Sequence, residues 1–168
     1  MNEETEGAVR ASIIAAVFLA GFAGGLWTAA DAQAPAGPPA ERVTGIGGVF
    51  LKARDPKALG VWYKEKLGIP LRDDGEWALL QWREREDPER VGTTVWSLFP
   101  SDSAYFAPSQ APFMINYRVR DLDRMLAQLR AQDVAVDSKV AEEFNGRFAW
   151  VVDPEGNKIE LWEPKAGY

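Results

Sequence analysis

Hydrophobic and polar residues alternate along several short segments of the chain, and two stretches between them carry apolar residues at helical spacing. Alternation predicts strands that have one buried face, and spacings of three and four predict amphipathic helices. The predicted helices begin after Asp55 and after Asp121. The predicted strands cover residues 48–53, 69–71, 77–82, 93–99, 114–119, 134–136, 147–152 and 157–162.

This pattern occurs twice, at an offset of about 66 residues. Each copy reads β-α-β-β-β, and in each copy the first strand ends at an aspartate that is suited to cap the following helix. A curled sheet with a helix on one face leaves its other face uncovered, so two such sheets together enclose a cleft. We therefore expect an α+β domain in which two βαβββ modules, residues 43–100 and 112–165, form paired curved sheets around a cleft.

The last predicted hairpin carries a distinctive motif, the turn Asp-Pro-Glu-Gly-Asn at residues 153–157 between two runs rich in β-branched and aromatic residues. Alternation places Lys158, Glu160 and Trp162 on one face of the second run. Together with residues 55–63, this hairpin resembles the vicinal-oxygen-chelate superfamily, which comprises glyoxalase, bleomycin-resistance and extradiol-dioxygenase proteins. The resemblance covers residues 43–164 and implies a glyoxalase/bleomycin-resistance-like fold.

Enzymes of this superfamily hold a metal ion with four ligands, mostly His and Glu, on strands that line the cleft. The resemblance places these positions at Gly48, Trp96, Met114 and Glu160. Glycine offers no side chain, an indole is no ordinary ligand, and a thioether is too soft for the usual divalent ions. The chain also contains no His and no Cys. We therefore expect no metal and no other cofactor.

Two interpretations of Glu160 remain open. In the structural one, its carboxylate stays ionised by pairing with a cation across the cleft, and Lys52 and Arg118 are the candidates. In the functional one, Glu160 binds a cationic or hydrogen-bond-donating ligand, or acts as a catalytic general base with a raised pKa.

The cleft face is expected to carry aromatic side chains with a few polar groups, which is typical of a small-molecule pocket but also of a packed core. The expected ligand-binding residues are Phe50, Lys52, Trp96, Met114, Asn116, Arg118 and Trp162. We expect metal-independent binding of a small apolar or aromatic molecule. The alternatives are a lyase or isomerase of the glyoxalase type, with Glu160 as base or sole remaining metal ligand, and a scaffold tethered to a membrane.

The segment that joins the two modules, residues 100–108, contains the aromatic pair Tyr105 and Phe106. These side chains suit either a lid over the cleft or a patch that packs against a second subunit. We favour the patch, and we expect a homodimer.

The N-terminal segment is uncharged from residue 11 to residue 30, which is long enough for a helix to span a membrane. We interpret residues 1–32 as a signal peptide or, if uncleaved, a membrane anchor, although Glu3, Glu4 and Glu6 precede it; a buried helix is the alternative. Residues 33–42 form a Pro/Ala-rich linker, and residues 43–165 form the domain. An exported protein, periplasmic or anchored outside the cytoplasm, is expected. The net charge of −6 argues against a nucleic-acid partner.

Overall fold

The computed structural model describes residues 39–85 and 87–168. Two helices, seven strands and one short 3-10 helix form this part of the chain. In chain order these elements are β1 (Gly45–Ala53), α1 (Pro56–Leu67), β2 (Trp77–Arg83), β3 (Val91–Pro100), the 3-10 helix (Ala104–Phe106), β4 (Phe113–Arg118), α2 (Leu122–Arg130), β5 (Val136–Glu143), β6 (Gly146–Val152) and β7 (Lys158–Pro164).

Both helices begin where the sequence predicts. Asp55 caps α1 by accepting a hydrogen bond from Ala58 N at 2.9 Å, and Asp121 caps α2 by accepting one from Arg124 N at the same distance. Each aspartate has an extended backbone, so the strand passes into the helix without an intervening loop. These caps fix where each helix leaves the sheet.

The seven strands form one continuous mixed sheet in the order β2-β3-β1-β4-β7-β6-β5. The two modules meet at its centre, where β1 and β4 pair antiparallel. Within each module the first strand pairs parallel with the last, β1 with β3 and β4 with β7. The duplication predicted from the sequence is therefore visible as an approximate symmetry about the β1–β4 pair.

Both helices pack on the same face of the sheet. Leu59 and Tyr63 of α1 pack against a cluster that includes Leu98. Leu122 and Leu126 of α2 pack within a second cluster. The opposite face carries most of the polar and aromatic residues expected in the cleft, and we call it the cleft face.

Residues 69–71, which the alternation predicts to be a strand, form none. Leu71 N instead bonds within the segment to Ile69 O at 2.8 Å, and the Leu71 side chain packs beneath α1. The first module is therefore β-α-β-β. In the second module, the short strand predicted at 134–136 begins at Val136 and extends to Glu143.

The predicted signal peptide or membrane anchor and most of the predicted linker, up to residue 38, lie outside the described residues. Neither helix in the described part of the chain has the length and apolar character required to cross a membrane.

Candidate functional site

Glu160 lies near the middle of β7 and points to the cleft face, where only 2% of its surface is exposed. The strand register places Asn116 of β4 beside it on one side and Trp150 of β6 on the other. Paired residues of neighbouring strands project from the same face of a sheet. The fold thus delivers three side chains to one point from three adjacent strands.

Three neutral donors satisfy the Glu160 carboxylate. Asn116 Nδ2 donates to Oε1 at 2.7 Å, and Trp150 Nε1 donates to Oε2 at 2.8 Å. The Tyr105 hydroxyl donates to the same Oε2. A buried carboxylate needs such bonds because loss of its hydration is costly, and hydrogen bonds to an ionised acceptor are the strong ones.

Tyr105 comes from residues 101–112, which join β3 to β4 and which we call the connector. Its ring stacks parallel on Phe99 at 5.5 Å and meets Trp150 edge-on at 6.3 Å. Burial and the neighbouring Glu160 charge raise the pKa of Tyr105, so its hydroxyl keeps its proton. Yet 39% of Tyr105 is exposed, so this donor forms the solvent side of the site.

The expectation that the connector exposes both of its aromatic side chains is wrong for Phe106, whereas the expected homodimer stays a prediction. Phe106 is completely buried, in a cluster with Phe50, Met114 and Trp150 on the cleft face. The physical reason is that both helices lie on the opposite face of the sheet, so the connector aromatics bury part of the cleft face instead. The connector is a lid over the cleft.

Lys52 and Arg118 are not the partners of Glu160. Arg118 is buried, with 3% exposed, and donates to Thr93 O at 3.1 Å and to Tyr168 O at 3.2 Å. Its guanidinium also lies over the Trp162 ring, 5.4 Å from the centroid, and burial lowers its pKa. Lys52 Nζ lies 5.0 Å from the centre of the Phe106 ring. Within residues 39–85 and 87–168, no ion pair involves Glu160.

A second lysine borders the site directly. Lys158 Nζ donates to the backbone carbonyl of Tyr105 at 2.7 Å and lies over the Tyr105 ring at 5.3 Å and the Trp150 ring at 5.4 Å. Lys139 Nζ also lies over the Trp150 ring, 5.5 Å from its centroid. Burial lowers the pKa of Lys158. Cations thus surround the aromatic rings without reaching the carboxylate.

The expectation that Trp96 faces the cleft is also wrong. Trp96 packs on the helix side of the sheet, with its ring 4.7 Å from that of Tyr63 in α1. The error is one residue of register. Phe50 pairs with Ser97 as its repeat counterpart Asn116 pairs with Glu160, so Ser97 is the true counterpart of Glu160. A slip of one residue moves a side chain to the other face.

The other predicted residues of the cleft face are placed in two groups. Phe50 and Met114 lie in the aromatic cluster beneath the connector. Asn116 contacts Glu160 directly, as described above. Trp162, two residues after Glu160 in β7, is buried, stacks on Phe148 at 5.9 Å, and lies beside Arg118.

The four superfamily ligand positions, corrected for register, hold Gly48, Ser97, Met114 and Glu160. These residues do not fit a transition-metal ion, because the donor set lacks the three or four suitable ligands that such sites use. Space is lacking as well. A Cβ atom at Gly48 would lie 2.7 Å from Cζ of Phe50, so the phenyl ring fills the volume into which a ligand side chain would project. No group of three His, Cys, Asp or Glu side chains suited to a metal occurs in the described residues.

Asn116 contains the one buried side-chain atom of the described chain that lacks a hydrogen-bond partner, Oδ1. Its amide orientation is set by Glu160, which accepts from Nδ2 and leaves the oxygen facing Gly47. Retention of an unpaired acceptor is costly. Because this cost is tolerated, we infer that the hydrogen bond to Glu160 determines the orientation of the Asn116 amide.

Tyr105 is the residue of the candidate site that sequence reasoning did not place there. It lies 55 positions from Glu160 along the chain, so no local periodicity relates the two. The available signal was the aromatic pair in an otherwise small and polar connector, together with an uncovered sheet face.

Two cavities, of about 310 and 780 Å³, open around Arg90 elsewhere on the domain, and Glu160 lines neither of them. With the connector in this position, the carboxylate is enclosed by its three donors.

The family profile of a glyoxalase-like domain matches residues 48–162. Among solved structures, the chain is similar to methylmalonyl-CoA epimerase from Streptomyces coelicolor, with 19% identity and a TM-score of 0.52 over 72% of this chain and 97% of that chain. It is similar to methylmalonyl-CoA epimerase from Mycobacterium tuberculosis, with 22% identity and a TM-score of 0.45 over 73% and 89%.

A glyoxalase/bleomycin resistance protein/dioxygenase superfamily member from Vibrio splendidus 12B01 is similar at 12% identity and a TM-score of 0.45, over 73% of this chain and 97% of that chain. No curated protein matches the sequence. The profile match covers most of the chain, so the protein belongs to the glyoxalase-like domain family of the vicinal-oxygen-chelate superfamily. The predicted α+β fold is confirmed.

Proposed function

We propose that this protein binds a small aromatic molecule on the cleft face at Glu160, without a metal ion, and that the connector moves aside to admit it. One observation carries the proposal: a buried carboxylate at the centre of the cleft is closed on its solvent side by a single half-exposed side chain, Tyr105.

The three donors to Glu160 differ in how firmly they are held. Asn116 and Trp150 belong to strands whose ladder bonds fix them, and both are buried. Tyr105 belongs to the connector and rests on the site from outside. Displacement of Tyr105 therefore exposes Oε2 of Glu160 without breaking any strand pairing.

The surroundings suit an aromatic ligand. Phe99 offers a ring face and Trp150 offers a ring edge, both within 6.3 Å of the Tyr105 ring centre and both on strands that stay in place. Aromatic walls with one directed polar group are typical of small-molecule sites. Stacked and edge-to-face contacts of this kind add about 0.5–1.5 kcal/mol each to the burial of a ring.

The test is a screen of small aromatic fragments by ligand-observed NMR in the presence of EDTA. We expect fragments with a hydrogen-bond donor to bind the wild type and to bind Tyr105→Ala more tightly, because the competing side chain is gone. Glu160→Gln should weaken the same fragments, whereas the matched control Glu155→Gln, in the exposed turn before β7, should not.

Binding that persists unchanged in Glu160→Gln would refute a site at this carboxylate. Binding that requires added Zn²⁺ or Mn²⁺ would refute metal independence.

A further inference from the structure

Tyr105 occupies the site at Glu160 in the way that a bound ligand would. Its hydroxyl donates to the carboxylate, and its ring stacks on Phe99. At the opposite end of the residue, its backbone carbonyl accepts a hydrogen bond from Lys158 Nζ at 2.7 Å. One residue thus satisfies an acceptor, an aromatic platform and a cationic donor together.

The Glu160 carboxylate, at one end of the site, favours one kind of hydrogen-bond donor on the ligand. Glu160 already accepts from two neutral N–H groups, and a third donor completes its shell. An ammonium or amidinium ligand would pair with the carboxylate, but Lys158 and Lys139 lie over the Trp150 ring that borders it. The positive charges of these two lysines oppose a further cation beside the same ring. A neutral hydroxyl on an aromatic ring meets no such opposition.

Lys158, at the other end of the site, favours an anionic substituent on the ligand. When the connector moves, Lys158 loses the carbonyl of Tyr105 as its acceptor and needs another partner. Lys158 is partly buried, and that burial lowers its pKa. An anionic group on the ligand would replace the carbonyl with a charge-assisted hydrogen bond, which is the stronger interaction.

We infer that the ligand is a phenol that carries an anionic group on a short chain para to its hydroxyl, and that it binds by replacing Tyr105 between Glu160 and Lys158. This inference rests on the proposed function, because it names the class of molecule that the cleft binds. The connector then acts as an internal competitor that fills the site when the ligand is absent.

The experiment is isothermal titration calorimetry of the full chain with four probes. They are 4-hydroxyphenylacetate, phenylacetate (which lacks the hydroxyl), 4-methylphenol (which lacks the anion) and tyramine (which carries a cation instead). We expect 4-hydroxyphenylacetate to bind at least about tenfold more tightly than each of the others, since each lacks one charge-assisted hydrogen bond.

Variants assign the two ends of the ligand. Glu160→Gln should remove the preference for 4-hydroxyphenylacetate over phenylacetate, and Lys158→Gln should remove its preference over 4-methylphenol. Lys57→Gln, on the exposed surface of α1, is the matched control and should change neither ratio. Tyr105→Phe should raise the affinity for 4-hydroxyphenylacetate several-fold, because its hydroxyl no longer competes, whereas Tyr63→Phe, in α1 on the other face of the sheet, should not.

Equal affinities for 4-hydroxyphenylacetate and 4-methylphenol, or tighter binding of tyramine, would overturn the inference while leaving the cleft a binding site for aromatic molecules. Absence of binding by all four probes, with fragments of other chemistry bound at Glu160, would overturn the inference alone. Absence of any aromatic ligand at Glu160, even in Tyr105→Ala, would overturn the proposed function as well.

Discussion

Replacement of Gly48 by alanine should destabilise the domain, because Phe50 occupies the space that the new methyl group needs. The added Cβ would lie 2.7 and 2.8 Å from two carbons of the Phe50 ring and 3.2 Å from Cβ of Asn116. Carbon atoms in favourable contact are about 3.5–4.0 Å apart, so the ring must move by almost 1 Å. That movement is resisted, since the ring packs edge-on against Phe99 at 5.6 Å.

Overpacking of this kind costs about 1–3 kcal/mol, against which alanine gains roughly 0.5–1 kcal/mol by restricting the unfolded chain. We expect Gly48→Ala to lower the free energy of unfolding by about 0.5–2 kcal/mol in urea titrations. Gly45→Ala in the same strand is the matched control. No atom lies within 4 Å of its added Cβ, so only the gain from the unfolded chain applies, and it should raise the free energy of unfolding by roughly 0.5–1 kcal/mol.

The double variant isolates the cause. Phe50→Leu removes the ring atoms that clash, so Gly48→Ala should cost less in the Phe50→Leu background, with a coupling energy of about 1 kcal/mol between the two positions. Additive effects within the error of the titration would show that Phe50 does not fill the space at Gly48, and the steric argument against a superfamily ligand at that position would fail.

Three further predictions concern the polar groups of the cleft face. Trp150→Phe should lower the free energy of unfolding by about 2–4 kcal/mol, because it removes the indole donor from Glu160 and some buried volume; an unchanged urea midpoint would contradict this bond. Because the folded-state pKa of Tyr105 is raised, its contribution to stability is full below about pH 10 and is lost as the pH rises further, so Tyr105→Phe should be less sensitive to alkali than the wild type; equal alkaline unfolding curves would contradict this assignment. Arg118→Met should cost about 1–3 kcal/mol by leaving the buried Thr93 carbonyl without its donor, and a stability equal to that of the wild type would show that the carbonyl does not depend on Arg118.

Local patterns were sufficient to predict most of the fold. The aspartates before each helix and the turn before β7 have short-range signatures, because a capping side chain or a glycine at positive φ acts within a few residues. Gly156, for example, has a φ of 82° in the turn that follows Asp153. The duplication then related the two modules, which fixed the face on which Glu160 and Asn116 lie.

The remaining errors have a common physical origin in long-range geometry. The predicted position of Trp96 depended on aligning the last strands of the two modules, β3 and β7, from their sequences alone. A shift of one residue in that alignment moves a side chain to the opposite face of the sheet. The location of Tyr105 depended on which surface the connector covers, and the role of Arg118 depended on the carbonyl groups of Thr93 and Tyr168, which are distant in the sequence. Such contacts are decided by packing of the whole domain and leave no periodic signal in the sequence.

The most direct test of the account is a crystal structure of the protein grown with both 4-hydroxyphenylacetate and MnCl₂. We predict that the ligand hydroxyl takes the place of the Tyr105 hydroxyl at Glu160, with the connector displaced and no ion bound to the carboxylate. A manganese ion within about 2.2 Å of a Glu160 oxygen, completed by donors on the cleft face, would contradict the account.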